Sequence, residues 1–282
     1  MAVELPTEVI YCILYSLIEN PNDRWCLRAT SILSRAFREP SQHLLMEKAR
    51  VVIRCNDNYG TFAPLAEPIT YRIAQYIKQI TIEIRSTMLL EASKSDFAVV
   101  MQTLEMISHD RIEAFTLHGG SVQYCSSFWE ERQQPHRLHS FFARICESPA
   151  LRSLTLTAVP TRFIRYCGPS LRQLTIHRPI DLVRHYIDSY AFRRDIIMRV
   201  NSSRIALESL TLDARDVKSN PWMPGRILGI LLNPQHWITL RYLSHLNLSM
   251  HTISNASLEP IRETLELCEA SLEKLEIHLD GM

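Results

Sequence analysis

The histidines are the residues whose types and spacing first suggest chemistry, in this case metal binding. His136 and His139 are three residues apart, and His118 and His177 lie on either side of them. Zinc sites combine histidines with cysteine or carboxylate ligands at short fixed spacings, and no such partner accompanies this pair. The strands predicted below separate His118 from His177 by one intervening strand, or roughly 10 Å. We therefore predict no metal site.

A second candidate for chemistry is Cys167-Gly168-Pro169-Ser170, which would place a thiol beside a tight turn. A helix that ends at Gly-Pro explains these residues without any reaction, because both residue types terminate helices. The chain has no Gly-x-Ser-x-Gly motif and no glycine loop for phosphate, and it contains only seven glycines. The sequence therefore predicts no catalytic residue and no cofactor, which favours a protein that is not an enzyme.

The cysteines are spread along the chain. They number seven, an odd count, and none forms a Cys-x-x-Cys pair. They cannot all pair within one molecule. We expect free thiols, most of them buried, as in proteins of a reducing compartment.

A short apolar pattern recurs seven times: an apolar residue, two variable residues, an apolar residue, a variable residue and a final apolar residue. Its copies begin at Ile77, Ile112, Leu151, Leu171, Leu207, Leu243 and Leu272. Because apolar and polar residues alternate in the last four positions, each copy predicts a strand with one buried face and one solvated face.

The spacing of these copies predicts how the strands connect. Successive copies begin 20 to 39 residues apart, which leaves room for a crossover helix in all but the shortest interval. Strands joined through crossovers run parallel, and stacking them buries a core that no single unit buries alone. The predicted fold is α/β, with a curved solenoid and a parallel sheet of about seven strands. The predicted crossover helices are residues 137–146, 162–167, 181–200, 226–232 and 256–268.

Residues 119–136 predict a long loop, because they contain two glycines, two adjacent serines and Pro135. Two interpretations fit this segment. It is either a surface insertion without a role of its own, or an arm that contacts a partner through Phe128 and Trp129.

The strand period predicts which side chains a binding partner would meet. If the leucines point inward, the residues between and after them lie on the concave face of the solenoid. The candidate target-binding residues on this face are Thr81, Thr116, His118, Thr155, Thr175, His177, Thr211, Asp213, Asn247 and Glu276. Such a row of hydroxyl, imidazole and acidic groups suits a protein surface or an extended segment, although threonine also simply favours strands.

Composition narrows the function classes. The chain of 282 residues is 46% hydrophobic, yet no tract of 18 or more apolar residues occurs and the start lacks a signal-peptide pattern. We expect an intracellular protein, cytoplasmic or nuclear, without membrane contact.

The net charge of +1 argues against general nucleic-acid binding, although residues 160–206 carry nine basic against three acidic residues. These charges either solvate the crossover segments or steer a charged partner.

The first fifty residues predict three short helices. Between Leu5 and Leu17 the apolar residues recur at spacings of three and four, which forms a stripe on one helix. A second helix is predicted from Trp25 to Leu33 after a cap at Asp23. Ser34 is predicted to cap a third helix over residues 35–38 that Pro40 interrupts, and residues 41–46 are predicted to resume it.

Leu5-Pro6-x-Glu8-Val9-Ile10, the apolar stripe after it and the segment from Leu27 to Phe37 resemble an F-box. The tail from Ser31 to Met46 is similar to the version common in basidiomycete fungal F-box proteins. The resemblance implies that the first helix binds the linker subunit of an SCF cullin ubiquitin ligase. The residues implied in this contact are Leu5, Pro6, Val9, Ile10, Ile13, Leu14 and Leu17.

Two positions depart from the family pattern. Ile32, Leu33 and Ser34 stand where an aliphatic residue, valine and cysteine are usual, and Phe37 stands where tryptophan is usual. Neither departure removes an apolar contact. An alternative interpretation is that the helices only cap the first strand of a solenoid.

The segments 167–176 and 268–277 resemble the leucine-rich repeats of fungal F-box proteins. The asparagine or cysteine that usually follows the third apolar residue by three positions is absent, so the turns should be irregular. The resemblance implies an F-box-like helical module in residues 1–50 and a leucine-rich-repeat-like solenoid in residues 51–282.

The functional prediction follows from this pairing of modules. We expect a substrate-recognition adaptor that binds the linker subunit through the helices and an unidentified target protein through the repeats. Two alternatives remain: a leucine-rich interaction scaffold without ligase function, and a nucleic-acid-associated protein that uses the basic stretch 160–206.

Overall fold

The computed structural model describes residues 5–17, 24–54, 74–85, 102, 104–119, 136–179, 205–215, 223–232, 238–251 and 253–280. In this part of the chain the fold is α/β, with six α-helices and ten strands. None of the described helices has the length and apolar character needed to cross a membrane.

Eight strands form one parallel sheet, in the order β1-β2-β3-β4-β5-β7-β9-β10. Its strands are β1 (Lys48–Arg54), β2 (Gln79–Arg85), β3 (Ala114–His118), β4 (Ser153–Thr157), β5 (Gln173–His177), β7 (Ser209–Asp213), β9 (His245–Met250) and β10 (Lys274–Leu279). A second sheet pairs β6 (Ile205–Ala206) with β8 (Ile238–Thr239). Every described pairing is parallel, as crossover connections require.

The seven strands predicted from the apolar pattern all occur, and they share one register. Leu154 pairs with Leu174, and Leu174 pairs with Leu210. All three side chains are buried in the core between the sheet and the helices. Because the side-chain period of a strand is two, this register places every alternate polar residue on the opposite face, called the polar face below.

One strand was not predicted from the sequence. β1 precedes the first copy of the apolar pattern and pairs along its full length with β2. Its seven residues, KARVVIR, interrupt the apolar alternation with two adjacent valines, so they do not match the repeated pattern. The sheet therefore has eight strands where about seven were expected, and the expected boundary at residue 50 falls inside β1.

Three described helices cover the apolar face of the sheet or lie beside it. They are α4 (His136–Cys146), α5 (Met223–Leu232) and α6 (Asn255–Cys268), and they coincide with predicted crossovers. Phe142 of α4 lies between the rings of Phe115 and Phe163, with ring centroids 6.0 and 5.9 Å away. These contacts fix α4 against the strands, since paired aromatic rings add to the free energy gained from area burial.

The predicted helix at residues 162–167 is instead a 3-10 helix over Thr161–Tyr166. The interval between β4 and β5 is the shortest in the sheet, and a 3-10 helix rises faster per residue than an α-helix. The predicted helix at 181–200 and the predicted contacts of Phe128 and Trp129 lie outside the described residues.

Three helices precede the sheet: α1 (Thr7–Ser16), α2 (Arg24–Leu33) and α3 (Arg35–Met46). The Ser34 side chain accepts a hydrogen bond from the Ala36 N–H at 3.3 Å, which confirms the predicted cap. The predicted interruption at Pro40 is wrong, because α3 continues through this residue. Pro40 is buried, and the next residue, Ser41, hydrogen-bonds Thr30 of α2 at 2.9 Å. Packing against α2 thus offsets the one backbone bond that proline removes. The predicted cap Asp23 lies outside the described residues.

Candidate functional site

Helix α1 is apolar on two faces, and only one of them is covered. Ile10 and Leu14 are 5% and 0% exposed and form a small core with the other two helices. Leu5, Val9 and Ile13 are 44%, 41% and 37% exposed. Val9 and Ile13 are four residues apart and therefore lie on one face of α1, and Leu5 lies two residues before the helix begins. We call these three exposed side chains the α1 stripe.

The residues expected to bind a linker subunit therefore divide into two groups. Leu5, Val9 and Ile13 are available to a partner, as is the exposed Pro6 before the helix. Ile10 and Leu14 pack inward, and Leu17 is half-buried beside them. Helix α2 adds two exposed apolar side chains, Trp25 and Ile32.

A chain of ring contacts links the helices to the sheet. The ring of His43 in α3 meets Tyr11 of α1 edge-on at 5.9 Å and Tyr76, before β2, at 5.4 Å. The Glu47 carbonyl accepts hydrogen bonds from the N–H groups of Lys78 and Gln79, at 2.9 and 3.0 Å. The helices are therefore held beside the first strands, while their buried cluster shares no residue with the core under the sheet.

The polar face carries two rows of side chains that run across the strands. The first row is half-buried and consists of Thr81, Thr116, Thr155, Thr175, Thr211, Asn247 and Glu276. At the β9–β10 end the Asn247 amide donates to the Glu276 carboxylate at 2.5 Å, and the Lys274 ammonium lies 2.8 Å from it. The hydrogen bond from Lys274 is the main cause that lowers the pKa of Glu276.

The second row brings together the predicted residues His118, His177 and Asp213, with Thr157 between the histidines. The Nδ1 atom of His177 lies 3.5 Å from Oδ2 of Asp213. Burial lowers the pKa of His118, Glu83 opposes this effect, and His177 and Arg50 add to it.

Two arginines contact acidic side chains of the polar face, and neither was predicted from the sequence. Arg50 contacts Glu83 at 2.5 Å, and Arg215 contacts Asp213 at 2.8 Å and Asp280 at 3.8 Å. The strand of Arg50 was not predicted. Arg215 follows Asp213 by two residues, a spacing that could have suggested a same-face pair.

The second row shows no arrangement typical of covalent catalysis. The Thr157 hydroxyl is buried and has no hydrogen-bond partner, so it is not bound to the neighbouring His177 as a nucleophile would be to its base. Within the described ranges, no three metal-ligating side chains converge. His136 and His139 belong to α4, but their side chains are not among those that the structure describes.

The Cys167 segment is buried rather than open to a substrate. The Cys167 thiol contacts the Phe163 carbonyl, and the Gly168 N–H donates to the Cys146 carbonyl at 3.1 Å. A hydrogen bond with Cys167, together with burial, raises the pKa of Cys146 well above its usual range. A thiol that stays protonated is a poor nucleophile, so Cys146 is suited to packing rather than to reaction.

Comparison with known proteins gives no relative for this chain: no protein-family model, no curated protein and no solved structure matches it.

Proposed function

We propose that this protein is a non-enzymatic substrate-recognition adaptor of an SCF-type cullin ubiquitin ligase, with an F-box-like module in its first helices and a leucine-rich-repeat-like solenoid after it. The observation that carries the proposal is the α1 stripe. Leu5, just before the helix, and Val9 and Ile13 on it each leave about two fifths of their surface in water, so burying each against a partner would contribute roughly 1 kcal/mol.

The packing of the helices supports a module that can present this stripe. Ile10, Leu14, Leu27 and Leu44 form a buried cluster of their own. A helix that only capped the sheet would direct its apolar face into the core of the sheet. Here α1 uses one face to hold the three helices together, and the stripe on its other face is left for a linker subunit.

The polar face is the proposed surface for the target protein. Its two rows alternate hydroxyl groups with charged and imidazole groups, so it can bind a protein through many hydrogen bonds without an apolar pocket. The adaptor would act by positioning alone. Holding a target lysine near a ubiquitin carrier raises its effective concentration, which needs no reactive group on this chain.

The test is co-purification with the linker subunit. The double variant Leu5→Ala with Pro6→Ala should abolish co-purification, while its circular dichroism and melting temperature stay close to wild type, because both residues are exposed. Tyr242→Ala, which removes an exposed aromatic side chain outside the three N-terminal helices, is the matched control and should co-purify with the linker subunit as wild type does. Co-purification of the double variant at the wild-type level would rule out the proposed contact.

A second candidate function is a leucine-rich interaction scaffold in which the helices serve only as a cap. The contacts of His43 with Tyr11 and Tyr76 favour it, because they tie the helices to the start of the sheet. In this case the same double variant would lower the melting temperature and would change no partner.

A further inference from the structure

A hydroxyl in the middle of the polar face has no hydrogen-bond partner. The Oγ1 atom of Thr157 on β4 is buried and pairs with no group in the part of the chain that the structure describes. The Thr157 side chain as a whole remains partly exposed, so this oxygen lies just below the surface of the polar face and not in the core. A buried polar atom without a partner is unfavourable, and a bound group that supplies the missing hydrogen bond removes this penalty.

Other polar side chains of this face already pair with one another. Asn247 donates to the Glu276 carboxylate, and the Ser249 hydroxyl donates to the side-chain oxygen of Asn247 at 3.3 Å. Among the described residues of the face, Thr157 therefore marks the place where a partner can satisfy a buried polar atom that the chain leaves unpaired.

Two imidazoles flank the Thr157 hydroxyl on the neighbouring strands. Thr157 pairs in register with His118 of β3 and with His177 of β5. Because neighbouring strands lie about 4.8 Å apart, the two histidines stand roughly 10 Å apart, with Thr157 midway between them. Both histidines are partly exposed, and exposed side chains change rotamer quickly, so a small entering group can open a path to the hydroxyl.

The centre of this second row offers no net charge that would select an ion. Arg50 contacts the Glu83 carboxylate on one side. Arg215 contacts the Asp213 carboxylate on the other side. Burial holds the pKa of His118 below its usual range, which keeps that ring uncharged at neutral pH. A charged group would therefore lose hydration here without gaining an unpaired opposite charge, whereas an uncharged polar group loses less.

The row provides a hydrogen-bond donor beside an acceptor. The Thr157 hydroxyl can donate its proton. The Nδ1 atom of His177 lies 3.5 Å from Oδ2 of Asp213, which favours the ring hydrogen on Nδ1 and the acceptor lone pair on Nε2. A carboxamide has the complementary groups, because its oxygen accepts a hydrogen bond and its NH₂ group donates one.

We propose that the polar face binds the side-chain carboxamide of an asparagine or glutamine of the target protein at Thr157, between His118 and His177. The amide oxygen accepts from the Thr157 hydroxyl, and the amide NH₂ group donates to Nε2 of His177. A main-chain amide fits less well, because the side chains next to it in the target would meet the two imidazoles. This proposal rests on the polar face being the target-binding surface, and it uses no contact with the linker subunit.

Capped amino acids test the proposal on the full chain at neutral pH. N-acetyl-glutamine methylamide is compared with the corresponding alanine, glutamate and lysine derivatives, which have the same main-chain amides. We expect the glutamine probe to bind roughly fivefold or more tightly than each of the others, as measured by NMR shifts of the Thr157 methyl group and the two imidazoles. Equal binding of the alanine derivative, or tighter binding of the glutamate or lysine derivative, would overturn the proposal.

The variant Thr157→Val removes the hydroxyl and nearly keeps the shape of the side chain. We expect it to bind the glutamine probe roughly fivefold or more weakly, and yet to melt at a higher temperature than wild type because it lacks the unpaired hydroxyl. Thr264→Val on α6 is the matched control, since the Thr264 hydroxyl is also buried but donates to the Pro260 carbonyl at 2.7 Å. This control should melt at a lower temperature and bind the probe as wild type.

Two results for Thr157→Val would contradict the proposal. Binding of the glutamine probe as by wild type would show that the probe lies elsewhere. A melting temperature below that of wild type would show that the hydroxyl already has a partner in solution. Binding of the linker subunit is measured separately and does not involve Thr157, so a failure of this proposal is distinguishable from a failure of the adaptor function.

Discussion

Arg215 donates two side-chain hydrogen bonds to the Asp213 carboxylate, from Nε at 3.0 Å and from Nη2 at 2.8 Å. The Arg215 backbone N–H donates a third bond to Oδ1 at 3.2 Å. His177 approaches the same carboxylate from the neighbouring strand. Arg215, just beyond the end of the strand that carries Asp213, therefore orients the Asp213 carboxylate. A binding partner would meet this carboxylate in one fixed position.

The Arg215 contact predicts a measurable change in acidity. Its side-chain hydrogen bonds are the main reason that the pKa of Asp213 lies below its usual range. Arg215→Met should raise that pKa toward about 3.9, because the backbone bond and His177 compensate only in part. Carbon-detected NMR titration of the Asp213 carboxyl measures the shift. An unchanged pKa would show that Arg215 does not hold this carboxylate in solution.

The direction of this shift also fixes the dependence of stability on pH. A carboxyl whose pKa is lowered by folding stabilises the native state above its unfolded-state pKa of about 3.9. This contribution disappears as the pH falls from there through the lower folded-state pKa. Wild type should therefore lose more stability than Arg215→Met between pH 5 and the acid limit, as measured by urea unfolding.

Two leucines at the same position of the pattern should differ greatly in how much stability is lost when each is replaced by alanine. Leu154 is fully buried on β4, so Leu154→Ala should lower the free energy of unfolding by about 2 to 5 kcal/mol. Leu275 on β10 is nearly half exposed, and Leu275→Ala should cost about 1 kcal/mol or less. Urea unfolding measures both. Similar losses for the two variants would contradict the difference in burial between β4 and β10.

Two glycines of α5 predict opposite effects of the same substitution. A Cβ on Gly225 would lie 2.5 Å from the Ser257 Cα of α6, so Gly225→Ala should push the helices apart and destabilise by about 1 to 3 kcal/mol. A Cβ on Gly229 meets nothing within 4 Å, and Gly229→Ala should stabilise α5 by about 0.5 to 1 kcal/mol. Thermal unfolding measures both. A Gly225→Ala variant as stable as wild type would contradict the close packing of α5 on α6, and destabilisation by Gly229→Ala would contradict the open space at Gly229.

The described cysteines are free thiols that differ in exposure, which predicts their reactivity. Cys12 is exposed, whereas Cys146, Cys167 and Cys268 are buried. Iodoacetamide should modify Cys12 in the folded protein and reach the three buried thiols only after denaturation, since all three are shielded from the reagent. At Cys146 and Cys268 a raised pKa also suppresses the thiolate. Peptide mass mapping follows each site. Modification of Cys146 at the rate of Cys12 would show that Cys146 is not buried in the core in solution.

The sheet could be predicted from the sequence because a single physical rule repeats. Each copy of the pattern must bury its apolar residues on one side, so the alternation around Leu174 fixes the strand, its facing direction and its register with Leu210. β1 escaped prediction because Val51 and Val52 are adjacent and break the alternation. The continuation of α3 through Pro40 was not predicted because proline has a very low helix propensity, and only the packing of α3 on α2 stabilises the helix there.

The candidate site was predicted less completely, since it depends on tertiary neighbours. The strand period placed His177 and Asp213 side by side, as the structure has them. It could not supply Arg50, because that arginine belongs to the unpredicted strand. The first helix showed the limit of a periodic pattern: five apolar residues at helical spacing do not reveal that Ile10 faces inward while Val9 faces solvent. That division depends on where α2 and α3 pack.

Calorimetric titration of the purified chain with a purified SCF linker subunit tests the central claim most directly. We expect one linker subunit to bind per chain with a dissociation constant of about 1 μM or tighter, and Val9→Glu to weaken binding at least tenfold because it places a charge in the α1 stripe. Glu8→Gln, at an exposed neighbouring position, should bind as wild type. Absence of binding by the folded wild-type chain at about 100 μM would contradict the adaptor function.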